Sequence, residues 1–494
     1  MALTEKTVDE TGLRKGRLGV IGIVFFVVAA AAPLVGMTGA VPVAIVVGNG
    51  AAAPGAYLAV GIVLLLFSVG YSAMSQRVTN AGAFFAYVGR GLGQNAGIGS
   101  AFVSIVAYLA VQLAIYGFFG GVMSLTLPFL PWWAWTLLAW VLVTALSLLS
   151  VEVGAKVLGT LLILELTALV ITALAILING GPEGMDFGAS FAPQNILVGG
   201  LAGSAGIAFA FAFASFIGFE ATAIYGEESK EPKRIVPRAT YLAVATITVL
   251  FALTAFAMVT GMGASKVVEE AFARSGELAD PAAVLFSLAS EYVGPWMATV
   301  MSILVLSSLF AGLLAFQNAA SRYFFAMGRG GVLPSSLHST NKRGAPGRAS
   351  LLTSVISGLV IVVFALFQLD PVLNLFYWFS GLAVVAIVLI ELLVCFAVIA
   401  FFRKNKGSEN IWVTMIAPIL AAIGLALGEY LLMSRFGLLA GTVVEGVDAA
   451  AQPWGLNALG WVLILLPFAV LVVGFVVSSL RKDVKDELLK DVLS

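Results

Sequence analysis

The sequence predicts an all-α, polytopic membrane protein of twelve spans, built as a five-plus-five inverted repeat with broken first and sixth helices and two extra helices behind it. Three observations carry that expectation. Of 494 residues, 61% are hydrophobic and 11% charged, and the mean hydropathy is +1.05. A soluble domain is nearer 45–50% apolar and about 25% charged, so this composition belongs in a bilayer. The apolar residues fall into twelve segments, roughly 18–47, 54–75, 96–123, 132–150, 155–179, 196–226, 238–261, 296–327, 350–368, 372–402, 411–433 and 456–479, each near the ~20 residues a spanning helix needs. Finally, the first and sixth segments each carry an interruption, and paired interruptions in corresponding places of two halves are the sequence mark of an inverted repeat.

The expected layout is a tail over 1–17, a single transmembrane domain over 18–479 and a second tail over 480–494. Within the domain, repeat one covers about 18–179, repeat two about 196–402, and the added helices about 411–479. Of the 26 lysines and arginines, only Lys266, Arg274 and Arg435 fall on one side of this layout. The positive-inside rule then makes both termini cytoplasmic and the protein a multi-pass resident of the cell membrane. The apolar run from Leu18 exceeds a signal h-region, so no cleaved signal is expected.

Formal net charge is zero, which gives no general attraction to nucleic acid. A single cysteine, Cys395, and a single histidine, His338, leave no disulfide framework and nearly exclude a metal centre. No phosphate-binding loop, nucleophile–base pair or metal cluster is present, so ATP, cofactors and covalent chemistry are not expected.

The first segment contains AAPLVGMTGAVP, with Gly36 and Gly39 between Pro33 and Pro42, a pattern that interrupts the hydrogen-bond ladder. After the second segment, Arg77 to Gly93 is too short and glycine-rich to span, and reads as an interfacial or re-entrant helix. The third carries Tyr108, Gln112 and Tyr116 on one helical face, lining a polar cavity or bonding to neighbouring helices. The sixth breaks around Ser215–Gly218, immediately before Glu220 and a charge run ending in proline. The outer loop 261–295 contains an amphipathic piece, PAAVLFSLASEYVG, expected over the outer mouth.

Ionisable residues inside hydrocarbon are costly and are functional candidates by default. Glu165 in the fifth segment, Glu220 in the sixth and Glu391 in the tenth qualify. Glu429 lies nearer the end of the eleventh, where headgroup exposure is the simpler account. A buried carboxyl without a partner tends to be neutral, and one that exchanges a proton is what proton coupling needs. Ser307 and Ser308 would back-bond to their own helix or coordinate a cation.

Three stretches together resemble the amino acid–polyamine–organocation superfamily of transporters: NAGAFFAYVGRGLG (80–93), FIGFEATAIYGEESKEPKRIVPRA (216–239) and FQNAASRYFFAMGRGGVLP (316–334), the last followed by KRGAP. Their order and spacing match over essentially the whole chain. The resemblance implies the same repeat with broken helices 1 and 6. It implies a substrate carboxylate held by the unwound backbone of Val35, Gly36, Met37, Thr38 and Gly39, and an amino group held near Phe213 to Gly218. It also implies substrate or proton handling by Glu220. Two departures stand out. Where relatives have a gating tryptophan this chain has Ala214, so Phe213 or Phe216 would serve as lid. Where some relatives have a lysine in helix 5 it has Glu165, which would bind a proton or join Ser307 and Ser308 in a sodium site.

The expected function is secondary transport of amino acids or related amines by alternating access. Proton symport leads, with substrate–product exchange and sodium symport as alternatives, and a non-translocating sensor as the rival of another class. The expected partners are a small-molecule substrate and the lipid bilayer, with the protein a monomer or homodimer.

Overall fold

The computed structural model describes residues 19–480 apart from 79–82, 150–151, 225–228, 342–343, 406 and 449–451. Among these residues it is all-helical, with an isolated bridge between Val443 and Leu456 and no strand. In chain order, α1 (Val20–Ala31) leads through a broken stretch to α2 (Ala53–Arg77) and the short α3 (Ala83–Leu92). Three helices follow: α4 (Gln94–Thr126), α5 (Trp132–Ser147) and α6 (Glu152–Asn179). Next come α7 (Ala205–Phe216), α8 (Pro232–Met262), α9 (Ala282–Tyr292) and α10 (Pro295–Arg329). The chain closes with α11 (Gly347–Leu366), α12 (Tyr377–Lys404), α13 (Ala417–Ser434) and α14 (Ala458–Leu480).

Ten helical stretches among the described residues are long and apolar enough to cross a bilayer. The first, Val20–Arg77, takes in two of the expected segments as one interrupted run, and α5, at 16 residues, falls short of the spanning length. The last residues of the sixth expected segment, and the charge run after it, lie partly outside the described residues.

The bundle is assembled around α4, which packs against α3, α10, α12 and α14. Apolar burial does not select helix partners inside lipid, so close approach through small residues does. A Cβ on Gly99 would lie 2.8 Å from the Leu471 carbonyl oxygen of α14, and one on Gly117 would lie 2.5 Å from the Pro371 carbonyl oxygen. Glycine therefore sets the spacing along both flanks of α4.

Residues 84–89 of α3 are buried, and the helix is wedged between α4 and α12 rather than lying on a membrane surface. The amphipathic piece of the outer loop forms α9, which packs on α6, on α10 and over the broken stretch at Gly36–Ala40. Glu429 departs from expectation: it is only 7% exposed. Its helix, α13, packs against α2, α7 and α12, and Ala421, Ala422 and Gly428 let those neighbours come close enough to cover it. Outside the spans, hydrogen bonds from the Arg77 guanidinium hold the Glu409 carboxyl below the usual carboxylate range and tie the end of α2 to the loop before Trp412.

The wedge of α3 depends on Gly91, where a Cβ would stand 2.2 Å from the backbone oxygen of Ala397 on α12. A backbone atom cannot rotate aside, so Gly91→Leu forces the helices apart at a cost of about 1–3 kcal/mol. The expected result is a lower thermal unfolding midpoint for the purified variant in detergent; an unchanged midpoint would show that the α3–α12 contact yields freely.

Candidate functional site

The first interruption is sharp. Ala32 sits in the left-handed region (φ 44°, ψ 67°), and the helix restarts at once with Pro33 in its first turn. A residue before proline is disfavoured in the α conformation, and proline suits the first helical position, so the pair Ala32–Pro33 ends one helix and begins another. The amide of Leu34, left without a partner in the preceding turn, donates to Oε1 of Glu165 at 2.6 Å. The same oxygen accepts Ser308 Oγ at 2.9 Å. One buried carboxylate thus joins the broken helix to α6 and α10. Ser307 does not take part: its hydroxyl donates to the Leu304 carbonyl of its own helix at 2.7 Å.

Beyond the break the chain is helical but wide. Gly36–Ala40 is a π-helical turn, and Ala44–Asn49 is a second. Val35 to Gly39, expected to be unwound, are therefore wound, and the reversal lies three residues earlier. Met37 is fully buried, and Thr38 back-bonds to the Leu34 carbonyl at 2.7 Å.

The second interruption follows α7. Ile217 leaves the helical dihedrals (φ −57°, ψ 129°), and Gly218 has φ +115°, a conformation that a side chain strongly disfavours. Glu220, fully buried, closes the turn: Oε2 accepts the Gly218 amide at 2.9 Å and Oε1 accepts the Tyr108 hydroxyl at 2.7 Å. Its main-chain carbonyl accepts the Tyr71 hydroxyl at 2.7 Å. Both carboxylate oxygens are thus occupied by donors of the fold. The two breaks touch, because a Cβ on Gly218 would lie 2.9 Å from Cβ of Ala30.

Between the breaks lies a cavity with about 580 Å³ of empty space including its mouth. Ala30–Ala32, Val35 and Gly36 form one wall, and Ala214, Ser215 and Ile217 form the facing one. The rest is apolar, with Phe211, Phe316 and Phe376 the bulkiest contributions. Ser215 and Ser380 are its only polar side chains, and none is charged. Ser215 donates to the Phe211 carbonyl at 2.8 Å and lies 3.3 Å from the Tyr57 hydroxyl.

The structure brings Val35, Gly36 and Ala214 to this cavity and takes several other candidates elsewhere. On α4 the face turned to it is Val111, Ala114 and Ile115. The polar stripe points away: Tyr108 holds Glu220, and Gln112 Nε2 donates to Gln317 Oε1 at 2.6 Å. Gln112 belongs to a buried network in which Gln317 donates to Ser354 Oγ at 2.9 Å, Ser357 donates to Gln112, and Ser147 meets Ser350 at 2.6 Å. This network links α4, α5, α10 and α11. Phe213 lines a separate apolar cavity between α2, α7 and α13, and Phe216 packs edge-on against Phe251 at 5.9 Å. Neither phenylalanine covers the central cavity. Ser380 and Phe376 carry no local signal that would single them out in an apolar segment.

A model of the amino acid permease family matches residues 22–487 of the chain. The chain is 25% identical over 263 residues to an uncharacterized transporter of Legionella pneumophila, covering 53% of this chain and 52% of that protein. It is 23% identical over 305 residues to the aromatic amino acid transport protein AroP of Escherichia coli, covering 61% and 64%. It is 30% identical over 159 residues to the branched-chain amino acid permease BcaP of Lactococcus lactis, covering 31% and 30%. The match thus spans about half to two thirds of the length of the first two relatives. With ten candidate spanning helices, the family match makes the chain a multi-pass membrane protein.

The geometry of the second break makes Gly218 the least replaceable residue there. Gly218→Ala combines an unfavourable φ with a close contact to Ala30, and strain of this kind costs on the order of 1–3 kcal/mol. A drop in the thermal midpoint of the purified variant is expected; a wild-type midpoint would mean that the break re-forms without the left-handed glycine.

Proposed function

The chain belongs to the amino acid permease family, and from that premise we propose that it is a secondary transporter carrying amino acids with uncharged side chains across the cell membrane by alternating access. The observation that carries this reading is the pair of helix ends at one cavity. The restarted helix offers its N-terminal end at Pro33–Gly36, and α7 offers its C-terminal end at Ala214–Ile217. Helix dipoles favour a carboxylate at the first and an ammonium at the second, which is the charge pattern of an amino acid backbone. The remaining wall is apolar, suiting a hydrophobic side chain. Glu220 has both oxygens bonded, which argues against a second cationic group on the cargo. The aromatic and branched-chain substrates in the names of two relatives agree with such a cargo.

In this reading the chain has twelve spans in an inverted five-plus-five repeat plus two, with both termini cytoplasmic. Val20–Arg77 counts as two spans parted at Gly48–Gly50, where Gly48 leaves helical dihedrals and Gly50 turns to φ +60°. The short α5 counts as one more.

Proton symport is the coupling we favour, through Glu165. An ionised Glu165 is a strong acceptor for Leu34 and Ser308, and a proton on it weakens both bonds and loosens the restart of the first helix. A sodium-coupled alternative takes support from Ser308 beside Glu165, but needs Ser307 to leave its own backbone.

Uptake by the purified protein in proteoliposomes tests the cargo. Labelled leucine and phenylalanine should be taken up in preference to lysine and putrescine, and a preference for the cations would overturn the reading. Gly36→Val should abolish binding, because a Cβ there already lies 3.3 Å from Phe251 and from Ser215 Oγ.

Coupling is tested separately by Glu165→Gln. The amide retains an acceptor but not the charge, and a charge-assisted bond is worth about 1.5–3 kcal/mol. Proton-driven accumulation should fall roughly ten- to a hundredfold while exchange of internal for external substrate persists. Unchanged accumulation would assign coupling to another group.

A further inference from the structure

Two more carboxyls are sealed inside the bundle, outside the lining of the central cavity. Glu391 on α12 is 2% exposed, and its Oε2 has no hydrogen-bond partner. Glu429 on the adjoining α13 is 7% exposed, and neither of its oxygens has a partner. Glu391 lies within electrostatic reach of Glu429 and also of Glu220 at the second break. No role follows for either from the substrate cavity or from the tie at Glu165.

Among the described residues, the elements packed on the pair bring no cation to it. On α12 the nearest titratable neighbour is Cys395, one turn from Glu391 and within reach of its charge. The uncharged titratable side chains carried by α2, α3 and α4, which pack on α12, are buried tyrosines: Tyr57 and Tyr71 on α2, Tyr87 on α3, Tyr108 and Tyr116 on α4. The cations of these elements lie elsewhere. Arg77 is bound to Glu409, Arg435 donates to the Gly203 carbonyl, and Arg90 is exposed. Arg403 and Lys404 lie at the far end of α12, about 18 Å along the helix from Glu391.

An ionised carboxylate in such a setting has lost its water without gaining a donor or a counter-ion, and two of them in electrostatic reach also repel. A metal ion needs several ligands at once, and among the described residues no group of three or more acidic, histidine or cysteine side chains is placed to hold one. A proton needs only the carboxylate itself.

We propose that Glu391 and Glu429 form a second proton-binding site, on the α12–α13 pair and apart from the substrate cavity, with both carboxyls protonated in the conformation described. Neither proton can leave without stranding a charge in the core, so release requires a conformation that brings water to the pair. Proton occupancy is thereby linked to helix packing. Charge appearing at Glu391 also disfavours charge at Glu220, which links the site to the second break. The inference does not depend on the identity of the cargo.

Infrared difference spectra of purified, reconstituted protein at neutral pH test it. Wild type minus Glu391→Gln, and wild type minus Glu429→Gln, should each lose the carbonyl band of one protonated carboxyl, with carboxylate bands unchanged. Loss of a carboxylate band in either difference overturns the proposal. Glutamine brings an extra donor, so Glu391→Met and Glu429→Met serve as second variants, neutral and without donors. If at either position neither replacement yields folded protein, the charge itself is structural and the proposal fails.

Discussion

When a helix breaks inside a bilayer, the amides it frees have no water to turn to, and each must find an acceptor within the protein. Here the amide of Leu34 finds Glu165, a residue 131 positions away on another helix. That bond decides much of what surrounds it. It lets the chain reverse at Ala32 without an orphaned donor, keeps the restarted helix end beside the cavity, and draws Ser308 of α10 into the same carboxylate. Remove the acceptor, and the left-handed alanine at the break is no longer compensated.

The second break solves the same problem from within. Glu220 folds back on the Gly218 amide two residues earlier, and only its other oxygen reaches across to Tyr108 on α4. The two interruptions are therefore unlike in construction: one is tied from outside by a distant side chain, the other is mostly self-sealed. A proton arriving at Glu165 alters a contact between three helices, whereas one arriving at Glu220 alters a local turn and one cross-link.

Much of the fold was legible in the linear pattern. Hydropathy located the long apolar helices, though two of the twelve segments run together in Val20–Arg77 and α5 falls short of a span, and proline and glycine marked both interruptions, because those residues act on the backbone locally. Side-chain destinations were less legible. The pair Ala32–Pro33 carries a local signal for the reversal, but a run rich in glycine farther on drew attention to Val35–Gly39. Tyr108, Gln112 and Tyr116 do share a helix face, as their spacing requires, yet spacing cannot say which neighbour that face meets; it meets Glu220 and Gln317, while Val111 and Ile115 meet the cavity. Nearness to a helix end suggests headgroup exposure for Glu429, but it says nothing of azimuth, and the small residues of α13 draw other helices over it. Adjacent Ser307 and Ser308 part company for the same reason, about 100° of helical rotation between them.

The polar network through Gln112, Gln317 and the serines of α11 has a mechanical consequence. Buried hydrogen bonds that are all satisfied hold their members in one arrangement, since sliding any helix by a fraction of a turn strands donors in a medium that cannot replace them. The α4, α5, α10 and α11 segments are thus braced as a stiff frame. The Ala-lined halves around the breaks hold to their neighbours through separate single ties, Glu165 to Leu34 and Ser308, Tyr108 and Tyr71 to Glu220, and the Tyr57–Ser215 contact, rather than through a connected network. Strain applied across the bundle would therefore fall on the two interrupted helices before it reached the frame.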